Sequence, residues 1–196
     1  RHGKAFYSPA LPGLYMTYGT HPMTALQNAV TATTAAAVAV CKAIEELTDK
    51  KPKIKWVNDV YLGDKKICGI LTEAVTDFET QTVTSVIIGI GMNIKTIDFP
   101  SDVENAASLG ANVRRADLIA AIARELHAIN NSKYNEFIDY YRTHSLIIGK
   151  KINFIQNERV TPATAVAIDE TGGLVVDLES GEQTVLRSGE ISIRRR

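Results

Sequence analysis

The chain has 196 residues, of which 45% are hydrophobic and 22% are charged, a balance that is typical of globular proteins and excludes extended disorder. Its 22 basic residues equal its 22 acidic residues in number, which argues against a domain held on nucleic acid by bulk charge. No segment approaches the roughly 20 apolar residues of a membrane span and no signal peptide is visible. We therefore expect a cytoplasmic protein without membrane or nucleic-acid partners.

The amino-terminal part of the chain predicts an α+β domain. In chain order, the apolar patterns predict a strand over 14–18, a helix over 24–47, a short strand over 54–57, a hairpin of 60–62 with 65–75, and a central strand over 82–94. A loop over 95–110 and two helices, over 116–130 and 132–144, complete this part. Cys41 falls on the apolar stripe of the first helix, where a buried structural thiol is expected.

The carboxy-terminal part of the chain has a different pattern. Residues 150–193 show no helical period, and their short alternating runs are interrupted by Asn157-Glu158, Gly172-Gly173 and Ser180-Gly181. This spacing predicts a small β-barrel of about five strands. We place the domain boundary near Ile148, so that 1–148 form the first domain and 149–196 the second.

The predicted hairpin carries an unusual concentration of charge beside an apolar strand. Because successive side chains of a strand point to opposite faces, we expect Lys66 to share a face with Cys68 and Ile70, and Gly69 to share the other face with Leu71. A lysine here fits a surface side chain lying over apolar neighbours and equally a fixed cation for an oxyanion. Gly69 inside a strand indicates close approach of a ligand or of another backbone.

Two further motifs lie at strand ends. Asn58-Asp59 fits a turn, in which these side chains satisfy local backbone groups, and also a site where a carboxylate binds a metal or accepts a proton. Gly89-Ile90-Gly91-Met92-Asn93 lacks the third glycine and the following helix of a dinucleotide-binding loop. Its two glycines instead predict exposed backbone against which a ligand packs, with Asn93 placed to hydrogen-bond that ligand.

Taken together and in this order, the motifs resemble those of the biotin protein ligases. The matching segments are Lys55-Trp56-Val57-Asn58-Asp59, Lys66 to Glu73, Gly89 to Asn93, the opening RHGKAFYSP, AASL at 106–109 and GEISIR at 189–194. Their spread over nearly the whole chain makes the set specific. The resemblance implies an α+β fold with a mixed β-sheet and packed helices, like the core of class II aminoacyl-tRNA synthetases, followed by a small SH3-like β-barrel.

The resemblance also implies a reaction in two steps. The biotin carboxylate attacks the α-phosphate of ATP to give biotinyl-5′-adenylate and pyrophosphate, and a lysine of a biotin carboxyl carrier domain then displaces AMP. The first step brings a carboxylate to a triphosphate, so fixed cations and Mg²⁺ are expected to screen the like charges. A homodimer formed through the sheet is a further implication.

Roles for individual residues follow from the same resemblance. Lys66 contacts the biotin carboxylate and the α-phosphate, Arg1 helps to retain the adenylate, and Asp59 assists the acceptor lysine or holds Mg²⁺. The biotin-binding positions are Arg1, Lys66, Gly69, Leu71, Gly89 and Gly91, and the nucleotide-binding positions are Phe6, Asn58, Asn93 and Arg194.

The sequence departs from the family pattern in three places. Val57 stands where proline is usual, and Lys4 stands where arginine is usual, which keeps the charge and loses the bidentate fork. The chain opens at Arg1 without an initiator methionine, and the family's upstream segments, which supply much of the biotin pocket, are expected to be missing. These residues alone are then expected to bind biotin poorly and to turn over slowly.

Two alternative functions fit part of the pattern. A lipoate or octanoate ligase-transferase belongs to the same superfamily, but GEISIR and the pairing of KWVND with GILTE favour biotin. A non-catalytic sensor that holds an adenylate is the alternative from a different class. Pyrophosphate release that requires biotin distinguishes the ligase from both.

Overall fold

A computed structural model describes residues 13–21, 29–77, 79–80, 82–95, 99, 105–132, 135–156 and 159–194. The predictions made for Arg1, Lys4 and Phe6, and for the first helical turns from Thr24, lie outside these residues. Within the described residues the elements are β1 (Gly13–Thr20), α1 (Ala29–Leu47), β2 (Lys53–Lys55), β3 (Asp59–Leu62), β4 (Lys65–Thr76), β5 (Val83–Asn93), α2 (Arg115–Asn130), α3 (Asn135–Thr143), β6 (Lys151–Gln156), β7 (Arg159–Ile168), β8 (Leu174–Leu178), β9 (Gln183–Leu186) and β10 (Glu190–Ile193).

The order of strands and helices predicted from the sequence is confirmed. Two boundaries were wrong. The strand predicted over 54–57 ends at Lys55, because Trp56–Asn58 form the turn that leads into β3, and the helix predicted from Ser132 begins at Asn135. None of the described helices is long and apolar enough to cross a membrane.

The first sheet has the strand order β1-β5-β4-β3-β2, and all its ladders are antiparallel. Two isolated parallel bridges, Ile54 with Ser145 and Lys66 with Ala106, make the pairing mixed. The first of these bridges covers the outer edge of β2, since Ile54 N donates to His144 O at 2.8 Å and Leu146 N donates to Ile54 O at 2.7 Å.

Helix α1 covers one face of this sheet. It packs on β3, β4 and β5 and also contacts α2 and α3. Residues 35–41 are fully buried at 0% exposure, as expected for a helix that is apolar all round. The alanines in this run let the helix lie close to the strands. Side chains on the opposite face of the sheet are exposed, as at Tyr15, Leu71 and Ile87.

The two cysteines lie in this core as free thiols. Burial raises the pKa of the Cys68 thiol to about 12 and raises the pKa of Cys41 well above its usual value. Because only the thiolate is reactive, we expect no labelling of the folded protein by iodoacetamide near pH 8. In urea both thiols should react, which intact mass spectrometry would report as two adducts. An adduct on the native protein would contradict the predicted burial.

The second sheet has the order β10-β6-β7-β8-β9 and is antiparallel throughout. A register shift between Ala165 and Ala167 bends β7, as is usual where a small sheet curves into a barrel. The loop between β7 and β8, Asp169–Gly173, faces the first domain. We call it the β7–β8 loop.

Candidate active site

The face of the first sheet that α1 leaves uncovered carries the candidate site. Residues that pair directly across an antiparallel ladder point to the same face. Gly69 pairs with Gly91, and Leu71 pairs with Gly89, so these four predicted biotin positions share one face. We call Gly69, Gly89 and Gly91 the glycine floor, because three neighbouring positions without side chains leave backbone open to close approach.

Large apolar side chains border the glycine floor. Tyr15 pairs with Gly91 across the β1–β5 ladder and is 42% exposed, while Leu71 is 50% and Ile87 37% exposed. Exposed apolar groups that surround open backbone are characteristic of ligand sites, in which a mostly apolar lining carries few polar groups. The floor and its borders therefore suit a flat, largely apolar ligand.

An ion pair stands at one end of the glycine floor. Lys66 Nζ lies 2.6 Å from Asp59 Oδ1, with the lysine side chain 39% and the aspartate side chain 19% exposed. A Cβ atom at Gly69 would lie 3.4 Å from both Cε and Nζ of Lys66. The absence of a side chain at Gly69 therefore leaves room for the lysine to lie across the strand toward Asp59.

The predicted strand face of Lys66 was wrong. Val60 pairs with Cys68, but the next residue, Tyr61, pairs with Lys66, so Ile67 has no partner on β3. This extra residue is a β-bulge, which shifts the alternation of the strand by one position. Lys66 consequently shares its face with Gly69 and Asp59, while Ile67 is completely buried.

Two residues near the ion pair were missed by the sequence analysis. Lys55 pairs directly with Asp59 across the β2–β3 ladder, and its Nζ lies 5.9 Å from the centre of the Tyr61 ring. Burial, together with the Asp59 carboxylate, raises the pKa of Tyr61 to about 12, so its hydroxyl stays protonated at neutral pH. The short connection from β2 to β3 was the available signal, because it fixes Lys55 opposite Asp59.

The two asparagines assigned to the nucleotide hold backbone in place. Asn58 Nδ2 donates to Ile70 O at 2.9 Å, and Ile70 N donates to Asn58 O at 3.0 Å. Asn93 Nδ2 donates to Ala107 O at 3.3 Å, which ties the segment 105–110 to the end of β5. Their contacts with a nucleotide stay a prediction.

Arg194 is not brought to the ion pair by its described contacts. Its Nη1 donates to Glu179 Oε1 at 2.9 Å, and its backbone N donates to Lys151 O at 3.0 Å. Both partners belong to the second sheet or its turns. Arg1 and Phe6, the other residues assigned to the adenylate, lie outside the described residues.

Asp59 is the carboxylate that the sequence analysis predicted as a magnesium ligand. Its Oδ1 is buried, and its partner among the described residues is the Lys66 ammonium at 2.6 Å. The described residues contain no group of three or more His, Cys, Asp or Glu side chains that could form a metal centre. A single carboxylate nevertheless suits Mg²⁺, which commonly binds through one or two carboxylates together with substrate phosphates.

Two family models match the chain. The Biotin/lipoate A/B protein ligase family matches residues 15–93, and the Biotin protein ligase C terminal domain matches residues 147–194. The first match contains the ion pair and the glycine floor, and the second contains the small barrel.

Individual relatives resemble the chain over most of its length. The Bifunctional ligase/repressor BirA of Bacillus subtilis is 29% identical, covering 92% of this chain and 58% of the relative. The Biotin--[acetyl-CoA-carboxylase] ligase of Mycobacterium tuberculosis is 26% identical, covering 97% of this chain and 73% of the relative. The chain thus spans little more than half of the length of the Bacillus protein.

A solved structure has the same fold. Biotin protein ligase from Aquifex aeolicus, in complex with biotin and ATP, superposes with a TM-score of 0.82 at 24% identity. The superposition covers 100% of this chain and 84% of that chain. At this identity the likeness concerns the fold.

Proposed function

We propose that this chain, which belongs to the biotin protein ligase family, activates biotin with ATP and transfers it to a lysine of a biotin carboxyl carrier domain. The observation that carries the proposal is the Lys66–Asp59 ion pair at the end of the glycine floor. It places one cation and one carboxylate beside an open apolar surface. The proposal includes two domains, a catalytic domain over 1–148 and a barrel over 149–196.

In the first step an oxygen of the biotin carboxylate attacks the α-phosphorus of ATP. The bond from that phosphorus to the bridging oxygen breaks, and pyrophosphate leaves with the electron pair. Lys66 contacts both anions in this proposal, and its ammonium stabilises the charge that collects on the α-phosphate oxygens. Lys55, on the opposite side of Asp59, adds a second positive charge to the same face.

In the second step the carrier lysine attacks the carbonyl carbon of the mixed anhydride, and AMP leaves. The attacking ammonium must first lose a proton, because only the neutral amine is a nucleophile. In this proposal Asp59 accepts that proton. When Mg²⁺ is bound, Asp59 with substrate phosphates would hold it, and the ion would neutralise phosphate charge.

Biotin itself lies on the glycine floor in this proposal, and substitution at Gly89 tests that placement. A Cβ at Gly89 would meet only Leu71 O, at 3.7 Å, so Gly89→Val should fold and yet occupy ligand space. We expect the KM for biotin to rise about tenfold, the scale of overpacking by ~1–3 kcal/mol, with the KM for ATP nearly unchanged.

Gly19 offers a matched control for that substitution. It lies on β1, on the same face of the sheet as Gly89, and no atom lies within 4 Å of an added Cβ. Gly19→Val should therefore leave the KM for biotin within twofold of the parent. Equal effects of the two valines on KM would contradict the placement of biotin on the floor.

The proposed activity is tested by pyrophosphate release from ATP and Mg²⁺ with biotin, with lipoate and without an acid. We expect release that requires biotin. Release that requires lipoate would identify the related lipoate chemistry instead, and binding of biotinyl-5′-adenylate without release would identify a sensor.

The remaining assignments concern partners and location. We propose that the carrier domain and a second copy of the chain both approach the first sheet, where β1 is an edge strand among the described residues. We also propose a cytoplasmic location, since the two cysteines are free thiols.

A further inference from the structure

The turn Trp56–Asn58, which leads into Asp59, is held from three directions. Tyr141 of α3 donates its hydroxyl to Val57 O at 3.2 Å, and Asn58 is joined to Ile70 of β4 by its side chain and its backbone. The third contact comes from the barrel, because Trp56 Nε1 donates to Gly172 O at 2.9 Å. Trp56 is 3% exposed, so this hydrogen bond is buried.

Contacts within the barrel stabilise the β7–β8 loop, which supplies Gly172 O. Asp169 Oδ1 accepts hydrogen bonds from Thr171 N and Gly173 N, both at 2.8 Å. Arg187 Nη2 lies 2.7 Å from Asp169 Oδ2. These contacts stabilise the loop from within the barrel, so the carbonyl that meets Trp56 is presented by an ordered turn.

The same loop is also fixed against the helices of the first domain. Arg142 of α3 donates through Nε to Ile168 O at 2.8 Å and through Nη2 to Glu170 Oε1 at 2.8 Å. On the α1 side, a Cβ at Gly172 would lie 2.9 Å from Thr34 Cγ2. Thr34 is fully buried and its hydroxyl donates to Thr31 O at 2.9 Å, so it has little freedom to move away.

We propose that the β7–β8 loop of the barrel positions Asp59 for the reaction through the hydrogen bond from Trp56 to Gly172, and that Trp56 and Gly172 are therefore positioning residues. Asp59 follows Trp56 by three positions, and the two residues belong to one short turn and the strand that it begins. A displacement of this turn moves the carboxylate relative to Lys66. Errors of about 1 Å in such placements cost on the order of a hundredfold in rate.

Gly172→Ala tests the inference, which rests on the proposed function for its activity readout. Gly172 has a φ of +81° and Gly181, in the β8–β9 turn, has a φ of +88° with no atom within 4 Å of an added Cβ. Alanine at either position carries the same backbone cost, but only at Gly172 does it collide with α1. Gly181→Ala is therefore the matched control.

Three measurements should change in Gly172→Ala and not in Gly181→Ala. The emission of Trp56, the single tryptophan of the chain, should shift to the red. Amide hydrogen exchange should accelerate in peptides that cover 56–62 while peptides of α2 keep their rates. The kcat for biotin-dependent pyrophosphate release should fall at least tenfold, with KM values within threefold of the parent. The concentration of active sites is taken from the burst of pyrophosphate in the first turnover.

Trp56→Phe keeps the test decisive if Gly172→Ala does not fold. The phenylalanine retains an aromatic ring and lacks the donor, so the same acceleration of exchange at 56–62 and the same loss of kcat are expected. Unchanged exchange in the turn, or a loss of kcat that Gly181→Ala shares, would overturn the inference. A parent protein without pyrophosphate release would refute the proposed function, and the exchange data would then decide the positioning on their own.

Discussion

Lys66→Ala should lose at least a hundredfold in the rate of biotin-dependent pyrophosphate release. The substitution removes the ammonium that lies 2.6 Å from Asp59 at the end of the glycine floor. Fixed donors to a developing oxyanion are typically worth ~3–4 kcal/mol at the transition state, and a carboxylate that meets a triphosphate depends on such a charge. The rate is measured at saturating biotin and ATP, so that weaker binding does not hide the effect.

The neighbouring lysine provides the control for this experiment. Lys65 begins β4 and is exposed, so Lys65→Ala removes the same charge from the same strand and should retain the rate of the parent within twofold. A rate for Lys66→Ala within threefold of the parent would show that this lysine has no part in the reaction. Thermal unfolding should show a loss of stability, because the buried Oδ1 of Asp59 loses its ion-pair partner, so the rates are compared at a temperature at which both variants are folded.

Asp59→Asn should slow the transfer of biotin to the carrier lysine by about a hundredfold. Asparagine keeps the size of the side chain and removes the charge, so the turn that holds it is preserved. General bases typically contribute factors of about 10² to 10⁴, and the variant must rely on solvent to deprotonate the amine. The step is isolated by supplying purified biotinyl-5′-adenylate and following biotin on the carrier domain.

The pH dependence of biotin transfer by Asp59→Asn distinguishes deprotonation by an internal base from deprotonation by solvent. Lysine has an ordinary pKa near 10.4, so the neutral amine increases about tenfold for each unit of pH below that value. Without an internal base the transfer rate should rise with that slope, while the parent rises less steeply. Asp64→Asn, an exposed change in the next turn, should behave as the parent. Parent-like transfer by Asp59→Asn at every pH would exclude the aspartate as the base.

The glycine pattern predicted the part of the site that depends on strand alternation alone. Gly89 and Gly91 are two residues apart on a regular strand, so their common face follows from the sequence. Their pairing with Leu71 and Gly69 depends on the β4–β5 register, which no local pattern fixes. The motif order, rather than any single residue, was what indicated that these strands meet.

Other parts of the site could not be obtained from local patterns. The hydrogen bond from Trp56 to Gly172 joins residues 116 positions apart, and its formation depends on how the barrel packs against α1 and α3. Lys55 was overlooked because only the β2–β3 pairing brings it opposite Asp59, whereas Tyr61 shares the face of Asp59 two positions along β3. Such contacts depend on tertiary packing, which overrides the local preferences of the chain.

Lys66 and Gly69 are three positions apart and share one face of β4 only because Ile67, between them, has no partner on β3. If Ile67 were paired with β3 in a regular ladder, alternation would put Lys66 on the face of Cys68, toward α1, where an ammonium would be stripped of water. The bulge is therefore what carries the lysine to the face of Asp59 and Gly69. The same motif on a strand without the bulge would bury the cation, although every residue of the motif kept its identity.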